Sequence, residues 1–216
     1  MYRAGFVFNL TGRRKKEEHG NMYMYIKKAE KKDLDVLANA AATCFPAAEA
    51  ASKERIEGRL SVYPDYFWIG RDEFHELVCY AAGPVTKEGT LTDNMYADPS
   101  VHDPNGDWQM IFSLCTMPEY RHKGMAALLL QRVISQAEEA GRKGVVLACK
   151  EHMIPYYERF GFVNEGLSES KHGGATWYQM RLTFDEDYYL ARMFQVSDNP
   201  DDNIQAIENA VWNLLC

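Results

Sequence analysis

The chain has 216 residues and a mass of 24.8 kDa; 46% of its residues are hydrophobic, 25% are charged, and its formal net charge is −7. That size and balance suit one globular domain with appended ends, able to form its core without disulfides or a metal, and exclude a largely disordered chain. No apolar run approaches the roughly 20 residues of a membrane span, and the acidic balance speaks against nucleic acid and for cationic partners.

Residues 1–21 carry net +3, leaving −10 on the rest, and show no lasting periodicity. They read as an N-terminal extension outside the fold, disordered or non-native. Met24–Lys28 reads as a strand. Asp33–Phe45 repeats apolar residues at helical spacing, Pro46 interrupts it, and Ala47–Leu60 reads as a second, charged helix. Tyr66–Gly70 and Glu76–Val85 read as a hairpin, and Leu91–Gly106 as a long irregular loop of the kind that is functional or mobile. Met110–Met117 is apolar enough for a strand covered on both faces. Glu119–Gly124 is a charged loop, Met125–Ala140 an amphipathic helix and Gly144–Cys149 a strand. The helix Ile154–Phe160, the strand Phe162–Glu165, a turn at His172-Gly173-Gly174 and the strand Thr176–Phe184 complete the domain. This order predicts an α/β sandwich with a mixed sheet over residues 22–184. Residues 185–216 form a C-terminal extension, helical over Asp202–Leu215. Cys44, Cys79, Cys115, Cys149 and Cys216 are odd in number and form no C-x-x-C pair. Free thiols in a cytoplasmic protein, with no metal, are therefore expected.

Two segments could carry chemistry. Arg121-His122-Lys123-Gly124-Met125-Ala126 lies between a buried strand and a helix, where free backbone N–H groups suit a phosphate. It matches neither the P-loop nor the dinucleotide fingerprint, and taken alone it reads equally as a solvated basic loop. Pro155-Tyr156-Tyr157-Glu158-Arg159-Phe160-Gly161-Phe162 places a tyrosine hydroxyl near the end of the sheet, or else forms an aromatic packing cluster without chemistry.

In their order and spacing, the run from Ser113 to Ala126, the strand Val146–Cys149 and the block Pro155–Phe162 resemble the GNAT acetyltransferase superfamily, in its serotonin (arylalkylamine) N-acetyltransferase-like branch. The resemblance implies a GNAT-like sandwich in which Leu114, Cys115 and Thr116 pair with the pantetheine arm of acetyl-CoA. It implies that the pyrophosphate rests on His122, Lys123, Gly124, Met125, Ala126 and Ala127, and that Tyr157 is the general acid protonating the departing thiolate. Where that branch carries two histidines on the strand before the cofactor segment, this chain has Met110 and Phe112, which do not titrate. Glu49, His102, Asp103 or a water chain are then the candidates for the base. The expected activity is acetyl transfer to a small primary amine, without nucleic-acid or membrane partners. A peptide or protein amine, a non-enzymatic acyl-CoA-binding module and a homodimer remain alternatives.

Overall fold

The structure, a computed structural model, describes residues 6–8 and 23–193. One sheet is antiparallel throughout, in the order β1 (Phe6–Phe8), β2 (Met24–Lys28), β3 (Phe67–Arg71), β4 (Leu77–Ala82) and β7 (Ser113–Thr116). The second runs β5 (Val85–Thr86), β6 (Trp108–Ile111), β8 (Gly144–Cys149), β10 (Tyr178–Thr183) and β9 (Val163–Leu167), with β6 and β8 parallel. The strand β1 falls inside the segment that the sequence assigned to an extension; it pairs with β2 at Phe6↔Ile26 and so belongs to the sheet.

Alternation along the strands sorts side chains between two layers. Phe67, Ile69, Tyr80 and Ala82 face α1 (Leu34–Cys44) and α2 (Lys53–Val62), meeting Leu37, Ala41, Ile56 and Leu60. Trp68, Val78 and Ala81 face the other way, toward Leu129, Val133 and Ala137 of α4 (Met125–Glu139), which also covers Val145 and Leu147. The second helix starts later than its composition suggested. Pro46 to Ala50 is a turn, and Ser52, whose hydroxyl accepts the Arg55 N–H at 3.3 Å, caps α2. The long loop is partly ordered as α3 (Asp93–Ala97) and a 3₁₀ turn, Pro99–Val101. It covers Met110 and Val146 with Leu91 and Met95. Beyond β10, α6 (Glu186–Met193) docks through Tyr188, whose ring meets Phe184 at 5.0 Å and whose hydroxyl donates to Glu138 at 3.3 Å. The helix expected at Asp202–Leu215 lies outside the described residues.

The expected single strand Met110–Met117 is two strands in two sheets. The Phe112 N–H donates to the Ala82 carbonyl at 2.8 Å, yet Ala82 is also the register partner of Ser113. Two residues therefore oppose one, a β-bulge. At the same height Gly83 and Pro84 carry the neighbouring strand across from the first sheet to the second. The buried Gln109 amide ties the crossing together, donating to the carbonyls of Gly83 (2.9 Å), Pro84 (3.2 Å) and Met110 (2.7 Å). A Cβ at Gly83 would overlap the Met110 carbonyl, whereas one at Gly58, inside α2, would meet only Pro99 Cγ at 3.9 Å. Gly83→Ala should therefore cost at least about 2 kcal/mol through forced separation of the strands. Gly58→Ala should stabilise by up to about 1 kcal/mol through helix propensity. Urea unfolding of the two variants checks both signs.

Candidate functional site

The bulge reverses which residues of the strand face which neighbour. Met110 and Phe112 donate toward the β4 side before it, and Met117 donates to Val78 at 2.9 Å after it. Between Ser113 and Met117 the odd residues face β4, so the N–H and C=O of Leu114 and Thr116 point to the opposite edge. β8 paired with this chain up to Ile111↔Leu147, but β7 has β4 as its sole strand partner among the described residues. The result is a V-shaped opening between β7 and the end of β8, with Leu114 offering backbone groups into it. The Thr116 carbonyl is already engaged, accepting Arg121 Nε at 3.1 Å and the Cys44 thiol at 3.5 Å. The Cys115 side chain is turned away into the core beneath α1, where contact with Cys44 and burial push its thiol up.

The loop after β7 reaches α4 through two left-handed residues, His122 (φ 61°) and Gly124 (φ 81°). No side chain caps α4, so the N–H groups of its first turn, Met125, Ala126 and Ala127, keep the orphan donors of any helix start. A Cβ on Gly124 would meet no protein atom within 4 Å, so the space above these donors is open. Arg121, His122 and Lys123 are exposed around it. Tyr120 anchors the loop: its hydroxyl donates to Asp72 at 2.7 Å, which pushes the phenol up to about 12 and holds the carboxyl below its usual value.

Tyr157 lies on α5 (Ile154–Glu158), which follows β8 directly. Its carbonyl accepts from Phe160 at 2.9 Å and Phe162 at 3.4 Å, and Gly161 (φ 86°) turns the chain there. The residue is 8% exposed, with its ring edge-on to Tyr156 and Phe162. Burial pushes its phenol well above the ordinary value, so it holds its proton at neutral pH. Tyr157, Cys149 and Met125 share one apolar cluster against which Leu114 packs. Strand edge, helix start and tyrosine thus surround a single body.

The other side of the opening joins Phe112 and Glu49 to residues the sequence did not single out. Phe112 meets Tyr96 at 4.4 Å, and Tyr96 stacks on His172 at 4.9 Å and 7°. His172 Nε2 lies 3.0 Å from the Glu49 carbonyl. A carbonyl only accepts, so Nε2 carries the proton and Nδ1 is the basic nitrogen. Asp93 pins this loop by accepting the Ser170 hydroxyl and the Lys171 N–H, and Trp177 Nε1 donates to the His172 carbonyl at 2.8 Å. The three side chains first considered for the base are all engaged. Glu49, in a turn rather than on the second helix, pairs with Lys150 at 2.7 Å. His102 Nδ1 accepts the Val85 N–H at 3.1 Å, and Asp103 accepts the Asn105 N–H at 2.9 Å. His172 announced itself only as a turn before two glycines. Tyr96 lay in what read as irregular loop.

Residues 100–184 match the model of the acetyltransferase (GNAT) domain family. Serotonin N-acetyltransferase of Mesocricetus auratus is 24% identical over 125 residues, 57% of this chain and 59% of that protein. The match therefore spans less than two thirds of that relative's length. Among solved structures, the loading GNATL domain of CurA from Lyngbya majuscula superposes with a TM-score of 0.65 at 15% identity, covering 74% of this chain and 98% of the other. The NatC complex bound to Gag peptide and CoA gives 0.60 at 13% identity, covering 75% and 99%. These two likenesses establish the fold.

The open space at Gly124 makes a sharp variant. Gly124→Val should lower stability by about 1–2 kcal/mol, because a branched residue is strained in the left-handed region. It should also weaken any anion bound over the start of α4 by about tenfold or more. Melting temperature without ligand measures the first effect and titration with CoA the second.

Proposed function

We propose, from the match of residues 100–184 to the acetyltransferase (GNAT) domain family, that this chain is an acetyl-CoA-dependent N-acetyltransferase acting on a small primary amine in a reducing, cytoplasmic setting. The observation that carries the reading is the unpaired edge of β7 opening beside an uncapped helix start and a buried, protonated tyrosine. The residues present fit acetyl-CoA. The edge at Leu114 can pair with an extended amide-bearing arm, the start of α4 with its pyrophosphate, and the exposed Arg121, His122 and Lys123 with its charge.

Each step has a residue suited to it. The Leu114 N–H would donate to the thioester oxygen as negative charge grows there. As the amine nitrogen bonds to the acetyl carbon and the carbon–sulfur bond breaks, the Tyr157 hydroxyl would give its proton to the departing thiolate, a contribution of ~10²–10⁴-fold. An alkylamine has a pKa of ~10.4 and arrives protonated. His172 Nδ1, its tautomer fixed by the Glu49 carbonyl, is the group we assign to receive that proton; the second N–H proton, lost as the amide forms, would restore the Tyr157 phenol.

A small acceptor is favoured over a peptide. Supporting this, Asp93 ties the 168–177 loop to α3 and so gathers Tyr96, Phe112 and Trp177 on the acceptor side. The relative from Mesocricetus auratus is named for a small amine; the NatC structure was solved with a peptide.

Free CoA should be released when the protein is mixed with acetyl-CoA and small amines, and acetyl-CoA should raise the melting temperature while equimolar ATP should not. No CoA release across the amine panel together with an unmoved melting curve would sink the reading. Tyr157→Phe should lower kcat about tenfold or more with CoA affinity little changed. Tyr156 is the control: its hydroxyl is buried without a partner, so Tyr156→Phe should leave turnover near wild type and stability equal or higher. Equal kcat for the two variants would remove Tyr157 from the chemistry. His172→Gln should depress acceptor turnover about tenfold while the melting shift with acetyl-CoA persists.

A further inference from the structure

Arg59, on α2, is 5% exposed and makes no ion pair among the described residues. Its Nη2 donates to the Tyr96 carbonyl at 2.8 Å, and its guanidinium carbon lies 5.3 Å from the centre of the Phe112 ring. The charged or ionisable groups that act most on it are Tyr63, Arg55, Tyr80 and Tyr96, none of them a carboxylate. The Tyr63 and Tyr80 hydroxyls are themselves buried without a hydrogen-bond partner. A buried cation without an anion is costly, and one carbonyl and one ring face compensate it only in part. A guanidinium with a single carbonyl acceptor and two phenols with none thus lie in the same region. That place is the acceptor side of the bulge, because Phe112 lies two residues before Leu114 and Tyr80 is the cross-strand partner of Cys115.

We propose that Arg59, with the Tyr63 and Tyr80 hydroxyls, binds a carboxylate of the acceptor, so that the amine acetylated is that of a free amino acid. This rests on the N-acetyltransferase reading above and narrows its substrate class. The guanidinium fork matches a carboxylate in a bidentate way, and one positive charge with two neutral donors suits a singly charged anion. The stacked rings of Phe112, Tyr96 and His172 run on from Arg59 toward the proposed base. The acidic charge of the chain as a whole favours cationic acceptors; a buried arginine lets a zwitterion enter, the carboxylate held inside and the ammonium left toward the reacting end.

The test uses three matched sets of acceptors: free amino acids, their amides and their decarboxylated amines. With the full chain and acetyl-CoA, kcat/KM should favour the free acids by about tenfold or more. With CoA in place of acetyl-CoA, where no turnover occurs, free amino acids should raise the melting temperature and the amides should not. In Arg59→Met both preferences should collapse toward one. Without ligand that variant should melt within a few degrees of wild type, because an unpaired buried charge has been replaced by apolar volume. If it does not fold, Arg59→Lys, which keeps the charge and loses the fork, should show a reduced preference. Amines and amides turned over as well as the free acids would overturn the inference and leave the acetyltransferase reading intact. A preference that survives Arg59→Met, or Arg59→Lys, would also overturn it, making Arg59 a tie between α2 and the Tyr96 carbonyl. If CoA binds and none of the three sets is acetylated, the acetyltransferase reading fails, and the melting shifts with CoA still decide on the carboxylate site.

Discussion

The constraint on which the rest depends is that two neighbouring strands leave one sheet for another at the same height. The chain crosses at Gly83-Pro84 on one strand and at the Phe112–Ser113 bulge on the other. Gly83 must lie against the Met110 carbonyl with no Cβ between them, and the Gln109 amide donates to the carbonyls of Gly83, Pro84 and Met110 at the break, the Pro84 carbonyl also accepting the Met110 N–H. Once the break is stabilised, β7 follows β4 while β8 stays with β10, and an edge is exposed in the middle of the molecule instead of at its rim. Exposed edges are usually a hazard. Here the edge is short, four residues, and lies between the loop before α4 and the start of α5.

The two sides of the opening are built from different material. On one side the groups offered are backbone: the Leu114 amide, the left-handed turn at His122 and Gly124, and the first N–H groups of α4. Side chains there serve mainly to fix the backbone, as the hydrogen bond from Tyr120 to Asp72 does for the loop. On the other side the groups are side chains brought from α2, α3, the turn after α1, the end of β8 and the loop before β10. They are joined by stacking and by hydrogen bonds to carbonyls rather than by sequence proximity. His172 and Glu49 are 123 residues apart, and Arg59 and Tyr96 are 37 apart.

That difference explains what could be read from the sequence. A backbone site leaves a compact trace, because a glycine between a buried strand and an amphipathic helix must recur at fixed spacing, as in Ser113–Ala126. The tyrosine block leaves a second trace, because Gly161 and the flanking aromatics are all needed to turn the short helix back to the sheet. The sheet break left none. Met110 to Met117 is apolar throughout, and a bulge shifts the alternation by one without changing which residue types are suitable. Arg59 was equally illegible: Lys53-Glu54-Arg55-Ile56-Glu57-Gly58-Arg59-Leu60 reads as a charged, solvated helix. Its one inward charge is set by α3 and the Pro99–Val101 turn folding across it, a long-range event. Phe6–Phe8 lies in a basic, aperiodic segment, where three residues are too few to show the alternation of a strand.

The proton traffic follows from the same division. The Tyr157 phenol lies in an apolar cluster, and burial keeps it protonated. On the proposed reading a thiolate released beside it, itself poorly solvated there, would take that proton. His172 is different: its ring stacks on Tyr96 and its Nε2 donates to the Glu49 carbonyl, while the Glu49 carboxylate pairs with Lys150. On the proposed reading, acid and base lie on opposite sides of the strand whose Leu114 amide would polarise the carbonyl between them, an edge that the sheet break exposes.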